Sequence, residues 1–257
     1  MSRKPLISPE LSLEALRQQS TGKGVQVAVI DSGIDPHHPD LSGKVVRSCV
    51  VSKEDGAVVC REIDPLESTD DFGHGTAVGG IITALAPAAE LVTVRVLNEY
   101  NACSGEILIA GIRWALEQNI KLINMSLATL KEKFFPELFD LCEQAYQQDA
   151  ILVVSRRNLG DMGCPAMFSS VISVERGEIA EPYGLHYKTG NLIECDAFGT
   201  RVRTLAPGGG YVEQTGTSFA APHVTGFIAL MVELWPDLLA VEAKTLLKAF
   251  SRQATGR

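Results

Sequence analysis

Three residue types in this chain could together perform nucleophilic acyl transfer: a serine, a histidine and an aspartate, each set at the edge of a patterned segment. Ser218 stands in Thr215-Gly-Thr-Ser-Phe-Ala-Ala-Pro-His223, between small residues and ahead of an apolar helix-like run ending near Trp235. A serine hydroxyl is a poor nucleophile unless a base takes its proton. Small neighbours let a substrate carbonyl approach, and a following helix N-terminus turns N–H groups and partial positive charge toward a developing oxyanion. His74 lies in Asp70-Asp-Phe-Gly-His-Gly-Thr-Ala-Val-Gly-Gly80, between two glycines at the expected start of a helix. Those glycines are read as leaving the imidazole uncrowded, which suits a proton shuttle titrating near neutrality. Asp31 closes the apolar run Val25-Gln-Val-Ala-Val-Ile30. Taken singly, each residue also has a plain structural role open to it. Gly-Thr-Ser is ordinary turn and N-cap chemistry, Asp31 fits a turn or cap, and a lone histidine is usually packed or exposed. His37, His38, His186 and His223 lack the setting of His74, and His223 is expected to pack inside the helix after Ser218.

The elements that must position these groups alternate in type. Ser8-Pro9-Glu10 followed by Leu11, Leu13 and Leu16 reads as an N-cap, a first-turn proline and an amphipathic helix. Residues 25–30 form an apolar β-branched run stopped by Asp31-Ser-Gly33, the pattern of a buried parallel strand ending in a turn. Helical patterns over 75–85, 107–118, 135–148 and 241–250, and a long one after Ser218, alternate with strand patterns over 90–97, 121–126, 150–155 and 171–174. Such alternation predicts an α/β fold with a mostly parallel central sheet covered by helices on both faces. In that architecture, reactive groups gather in the turns beyond the strand C-termini.

In chain order the three candidates run Asp, His, Ser, the order of the subtilisin-type catalytic unit rather than that of chymotrypsin or the α/β-hydrolases. The sequence resembles the subtilisin-like serine peptidases, or subtilases. The resemblance rests on Val27-Ala-Val-Ile-Asp-Ser-Gly-Ile34, Gly73-His-Gly-Thr76 and Gly216-Thr-Ser-Phe-Ala-Ala-Pro-His223. Weaker matches at Gly111–Ala115, Ile123–Leu127, Phe168–Val174 and Leu205–Gly208 extend it from Gly22 to the C-terminus. It implies a three-layer α/β/α subtilisin-like peptidase domain over residues 22–257, preceded by a helical extension over 1–21. It further implies that Ser218 attacks a peptide carbonyl, His74 relays the proton, and Asp31 orients and stabilises the imidazolium. Asn158, in Val153-Val-Ser-Arg-Arg-Asn158, takes the place of the family's oxyanion-binding asparagine. The expected activity is that of a serine endopeptidase of narrow specificity. A peptide-binding homologue with little or no turnover and a peptide-maturing transpeptidase are the alternatives.

Departures from the family pattern refine these expectations. Arg157 replaces the glycine that ordinarily precedes the asparagine, in a stretch that lines the pocket for the residue before the scissile bond. Ser126-Leu127-Ala128-Thr129 replaces a Ser-Leu-Gly-Gly segment whose edge pairs with extended substrate, so Ser126, Leu127 and Ala128, with Arg157, are candidate substrate-binding residues. If Arg156 or Arg157 faces the cleft, an acidic or polar substrate residue is favoured; if both face solvent, they are ordinary loop charges. Residues 77–87 run straight through where familiar members insert a calcium loop, and no carboxylate cluster has calcium-ligand spacing. No metal or other cofactor is expected, and neither is strong calcium dependence. Residues 1–21 are too few for the folding prodomain of secreted members, so compact intracellular bacterial subtilases are the better likeness, with narrow specificity or a regulatory partner as restraint.

Composition narrows the setting. A formal charge of −8 excludes a nucleic-acid partner drawn by bulk electrostatics. The first ten residues lack the apolar core and cleavage site of a signal peptide. The apolar stretches are read as far short of the roughly 20 residues that span a bilayer. A cytoplasmic protein acting on a peptide or protein substrate, without a membrane role, is therefore expected. The six cysteines show no ligand spacing and are expected to be reduced thiols. Cys49 and Cys60 could face each other across a hairpin.

Overall fold

The computed structural model describes residues 12–158 and 163–254. Helix α1 (Leu13–Gln19) leads to strand β1 (Gln26–Asp31) and then to a hairpin of β2 (Val45–Glu54) and β3 (Ala57–Ile63). Next come α2 (His74–Leu85), β4 (Glu90–Arg95), α3 (Gly105–Glu117), β5 (Leu122–Met125), α4 (Phe135–Gln147), β6 (Ile151–Ser155) and β7 (Ile172–Arg176). The chain continues through β8 (Leu185–Tyr187), β9 (Cys195–Ala197), β10 (Val202–Ala206), β11 (Gly210–Gln214), α5 (Thr217–Leu234) and α6 (Ala240–Ala254). Nine of the described strands form one sheet in the order β3-β2-β4-β1-β5-β6-β7-β9-β8. Its interior pairs are parallel, while β3 on β2 and β8 on β9 are antiparallel and close the two edges.

The apolar runs form buried strands because both of their faces are covered. Along β1, Val27 and Val29 enter one core with α1, α2, α5 and α6, while Ala28 and Ile30 enter the other with α3 and α4. Strands β5 and β6 divide in the same way: Leu122, Ile151 and Val153 face the first core, and Ile123, Leu152 and Val154 the second. This is the two-residue alternation of a strand between two helical layers. The expected α/β/α architecture with a mostly parallel sheet is therefore present.

The structure adds strands that the apolar pattern did not announce: the β2–β3 and β10–β11 hairpins and the β8–β9 edge. These are edge or surface strands, half polar and weakly periodic, so little in their sequence separates them from loops. The first hairpin sets Cys49 opposite Glu62 and Cys60 opposite Val51, and both cysteines are free thiols. The predicted cap at Ser8 lies outside the described residues. Helix α1 is instead capped at Ser12, whose side chain accepts the Ala15 N–H at 3.1 Å. One apolar element is longer than the sequence reading allowed. At 18 residues α5 is long and apolar enough to cross a membrane, yet 89% of it is buried inside the protein. It is apolar all round because it is the central helix of the first core.

Candidate active site

The register of the sheet brings the turns to one edge. Ile30 of β1 is level with Met125 of β5, and Met125 with Val154 of β6. Asp31, Ser126 and Ser155 therefore emerge side by side at the strand C-termini. The order of strands reverses at β1, with β4 on one side and β5 on the other, which is where open parallel sheets form their ligand crevice.

Asp31 is fully buried, and its Oδ1 lies 2.7 Å from His74 Nδ1. The Ser32 N–H also donates to that oxygen at 2.8 Å. A carboxylate can only accept, so Nδ1 carries the proton and Nε2 is left as the basic atom. Burial works against the charged imidazole, but the Asp31 charge, the Asp31 hydrogen bond and the nearby Asp70 charge outweigh it. The His74 pKa stands above the ordinary histidine value.

The glycines around His74 have a different task from the one expected of them. His74 is 8% exposed, hence not uncrowded. A Cβ on Gly75 would fall 2.0 Å from the Gly33 carbonyl oxygen, so glycine lets α2 lie directly on the end of β1. Gly73 holds a left-handed φ of 92° and gives no side-chain cap. The cap comes from further upstream. Asp70 accepts the Thr76 N–H and hydroxyl at 2.7 Å each through Oδ2, and the Gly73 N–H at 2.8 Å and Ser32 hydroxyl at 2.7 Å through Oδ1. Ser32 Oγ in turn accepts the Gly75 N–H at 3.0 Å. Asp70 is a positioning residue that the sequence reading missed. Its signal was an acidic residue just ahead of a helix start that lacks a capping side chain.

Ser218 is the second residue of α5, and its N–H has no carbonyl four residues back within the helix. Its own carbonyl is freed by Pro222, which has no N–H to give to the residue four before it. The Ser126 hydroxyl takes the vacated place at 2.9 Å. Asn124 Nδ2 donates to Ser126 Oγ at 3.2 Å, and Thr225 Oγ1 donates to Asn124 Oδ1 at 2.8 Å. The Ser218 backbone is thus tied to β5 by a buried polar chain. The ring of Phe219, next in sequence, packs on His74 at 5.3 Å between centroids.

Asn158 Oδ1 accepts the Thr217 N–H at 2.8 Å, and the Thr217 hydroxyl donates to the Arg156 carbonyl at 2.6 Å. A backbone N–H can only donate, which fixes the oxygen side of the amide and makes Nδ2 its donor side. Asn158, His74 and Ser218 line one cavity of about 460 Å³, together with Ser126, Leu127, Ala128 and Arg157. Thr129 lines the same cavity and exchanges backbone hydrogen bonds with Cys164 at 2.9 and 3.0 Å.

The other histidines stay apart from this arrangement. His223 Nδ1 lies 2.7 Å from the Phe219 carbonyl, and burial pushes its pKa down to about 4, so it is a packed neutral residue. It lines a separate cavity of about 680 Å³ between α2 and the β10–β11 hairpin, which contains none of Asp31, His74 and Ser218. Among the described residues no cluster of histidine, cysteine or carboxylate groups could hold a metal ion.

Residues 22–255 match the family model described as the Subtilase family, peptidase S8. The chain is 32% identical over 236 residues to an intracellular serine protease of Paenibacillus polymyxa, covering 86% of this chain and 70% of that one. It is 31% identical over 245 residues to the major intracellular serine protease of Bacillus subtilis, covering 89% and 73% of the two chains. Against the subtilisin of Bacillus pumilus it is 31% identical over 256 residues, covering 93% and 88%. With this match spanning the whole sheet and all the residues gathered at its edge, the chain belongs to the subtilase family and is a serine-type endopeptidase.

Proposed function

We propose that Asp31, His74 and Ser218 are the catalytic triad of this endopeptidase and that Asn158 is its oxyanion donor. The observation that carries the reading is the buried 2.7 Å contact from Asp31 to His74 Nδ1, with His74 and Ser218 lining the same cavity. In the mechanism, Ser218 Oγ attacks the scissile carbonyl while His74 Nε2 takes its proton. The negative charge on the former carbonyl oxygen is met by the Asn158 Nδ2 and Ser218 N–H donors. Asp31 holds the tautomer and stabilises the imidazolium without itself accepting the proton. His74 then protonates the departing amine, and water, deprotonated by the same nitrogen, releases the acyl group from Ser218.

Substrate lies extended against residues 126–128, whose backbone edge pairs with it as an added strand. The protein works in the cytoplasm, a reading supported by its likeness to proteases named as intracellular, and narrow specificity or a regulatory partner restrains it. Nucleic acid and membrane have no part in the activity.

Labelling with a fluorophosphonate probe tests the triad. The wild-type protein reacts and Ser218→Ala does not; a wild-type protein that stays unlabelled, or a Ser218→Ala protein that still labels, refutes the assignment. Digestion of casein tests the restraint: slow, limited cleavage is expected, and rapid complete digestion counts against it.

A further inference from the structure

The wall of the cavity beside Ser218 carries an arginine with no counter-ion among the described residues. Strands β5 and β6 are adjacent, and the segments that follow them, 126–128 and 155–158, form opposite walls of the cavity. The Thr129–Cys164 bridge ties the far end of the first wall to the segment beginning at Gly163. At Gly163 the walls converge. A Cβ placed there would lie 2.9 Å from the Ala128 Cβ and 3.1 Å from Arg157 Cδ. The stem of Arg157 therefore passes Gly163, close to Ala128 of the other wall, and Arg157 lines the cavity.

The neighbouring arginine is differently disposed. Arg156 gives Nη1 to Glu175 Oε2 at 2.7 Å, and Lys188 binds the same carboxylate on its other oxygen. Arg156 also lines the cavity, but its charge is thereby neutralised. Arg157 is half-buried and makes no ion pair among the described residues, and Lys131, at the same cavity, makes none either. No carboxylate is among the described residues lining the cavity. On a chain with 31 acidic and 23 basic residues, two cations lining one cleft without an ion pair among the described residues run against the overall charge. A half-buried guanidinium without a partner is poorly solvated, and a carboxylate that reaches it forms the strong, forked type of hydrogen bond.

We propose that Arg157, assisted by Lys131, selects an acidic side chain at the residue preceding the scissile bond, so that the enzyme cleaves after glutamate or aspartate. Apolar bulk is disfavoured because Ala128 and the Arg157 stem occupy part of the space between the walls. The proposal rests on Ser218 being the nucleophile, since that places the cleaved bond at this cavity.

Two fluorogenic peptides differing only in Glu or Gln before the cleaved bond test it, with fluorophosphonate titration counting active protein in each preparation. The wild-type protein should prefer Glu over the isosteric Gln in kcat/KM by roughly tenfold to a hundredfold, the scale of one charge-assisted contact. Arg157→Ala should lower that ratio to near one, and Arg157→Glu should reverse it in favour of a lysine-containing peptide. Lys131→Ala should reduce it by a smaller factor. Equal wild-type turnover of Glu and Gln peptides by protein that labels fully overturns the specificity alone. An undiminished Glu preference in labelled Arg157→Ala does the same. Failure of the wild-type protein to label overturns the nucleophile assignment, and the specificity with it.

Discussion

His74 shows how the surroundings of one residue set its chemistry. Its raised pKa comes from Asp31 and Asp70 overcoming burial, so the neutral, proton-accepting form prevails only above that pKa. Activity should accordingly fall on the acid side of a midpoint above the ordinary histidine value. In Asp31→Asn the carboxylate's charge and acceptor are lost; the midpoint should move down and kcat should drop by roughly 10⁴-fold, as when a triad imidazole is held in the wrong tautomer. A pH–rate profile of both proteins reads this, and an unmoved midpoint would separate His74 from Asp31. Asn158→Ala should cost about 10²–10³ in kcat with little change in KM, because the lost donor acts on charge that develops in the transition state. A loss confined to KM would make Asn158 a substrate contact instead.

At the level of elements, two helix starts are built by residues outside the helices. Asp70 serves the start of α2 with four hydrogen bonds, and it is 6% exposed. Asp70→Ala leaves several buried donors without an acceptor, each costing about 1–3 kcal/mol. Urea unfolding should show a loss above ~3 kcal/mol, whereas removal of the neighbouring carboxylate in Asp71→Ala, 64% exposed, should cost less than ~1 kcal/mol. Comparable losses in the two variants would contradict the capping role. The start of α5 uses Pro222 in a related way. Proline inside a helix usually destabilises it by removing a hydrogen bond. Here the freed Ser218 carbonyl is bonded by Ser126, so the missing helical bond becomes an anchor between Ser218 and β5.

Across the whole molecule, the first core joins distant parts of the chain. Leu16 of α1, Ile82 of α2, Phe227 of α5 and Leu247 of α6 are all fully buried in it. The Glu233 carboxylate clamps the α1–β1 connection by accepting the Thr21, Gly22 and Lys23 N–H groups at 2.7, 2.7 and 3.0 Å. Partial burial works against its charge, but these bonds and one from Ser20 hold its pKa below the ordinary glutamate value. A depressed carboxylate pKa contributes stability that is present above the unfolded value and is lost as pH falls through the folded one. Glu233→Ala should therefore cost about 1–2 kcal/mol at neutral pH and much less in acid, as read from unfolding curves at the two conditions. An equal cost at both pH values would show that packing, not charge, is what Glu233 contributes. Helix α2 runs unbroken from His74 to Leu85, and chelation with EDTA should leave Tm unchanged. A large fall in Tm would reveal a structural metal.

How much of this was legible in the sequence depended on how local the governing physics was. Buried parallel strands must be apolar on both faces, so β1, β4, β5 and β6 could be read as continuous runs, and the α/β class followed from their alternation with helices. That Asp31, His74 and Ser218 would come together was legible because each ends or begins such an element, where a parallel sheet gathers its turns. The edge hairpins were not, since half-exposed strands carry no pattern distinct from that of loops. Nor could the glycines at 73 and 75 be interpreted, because Gly75 approaches Gly33 and Gly73 approaches Pro207, both remote in the chain. The two arginines make the same point most plainly. By type and spacing Arg156 and Arg157 are interchangeable in the sequence. Only the packed structure separates them, because Glu175 of β7, shared with Lys188, pairs with Arg156, while the Arg157 stem passes Gly163 beside Ala128.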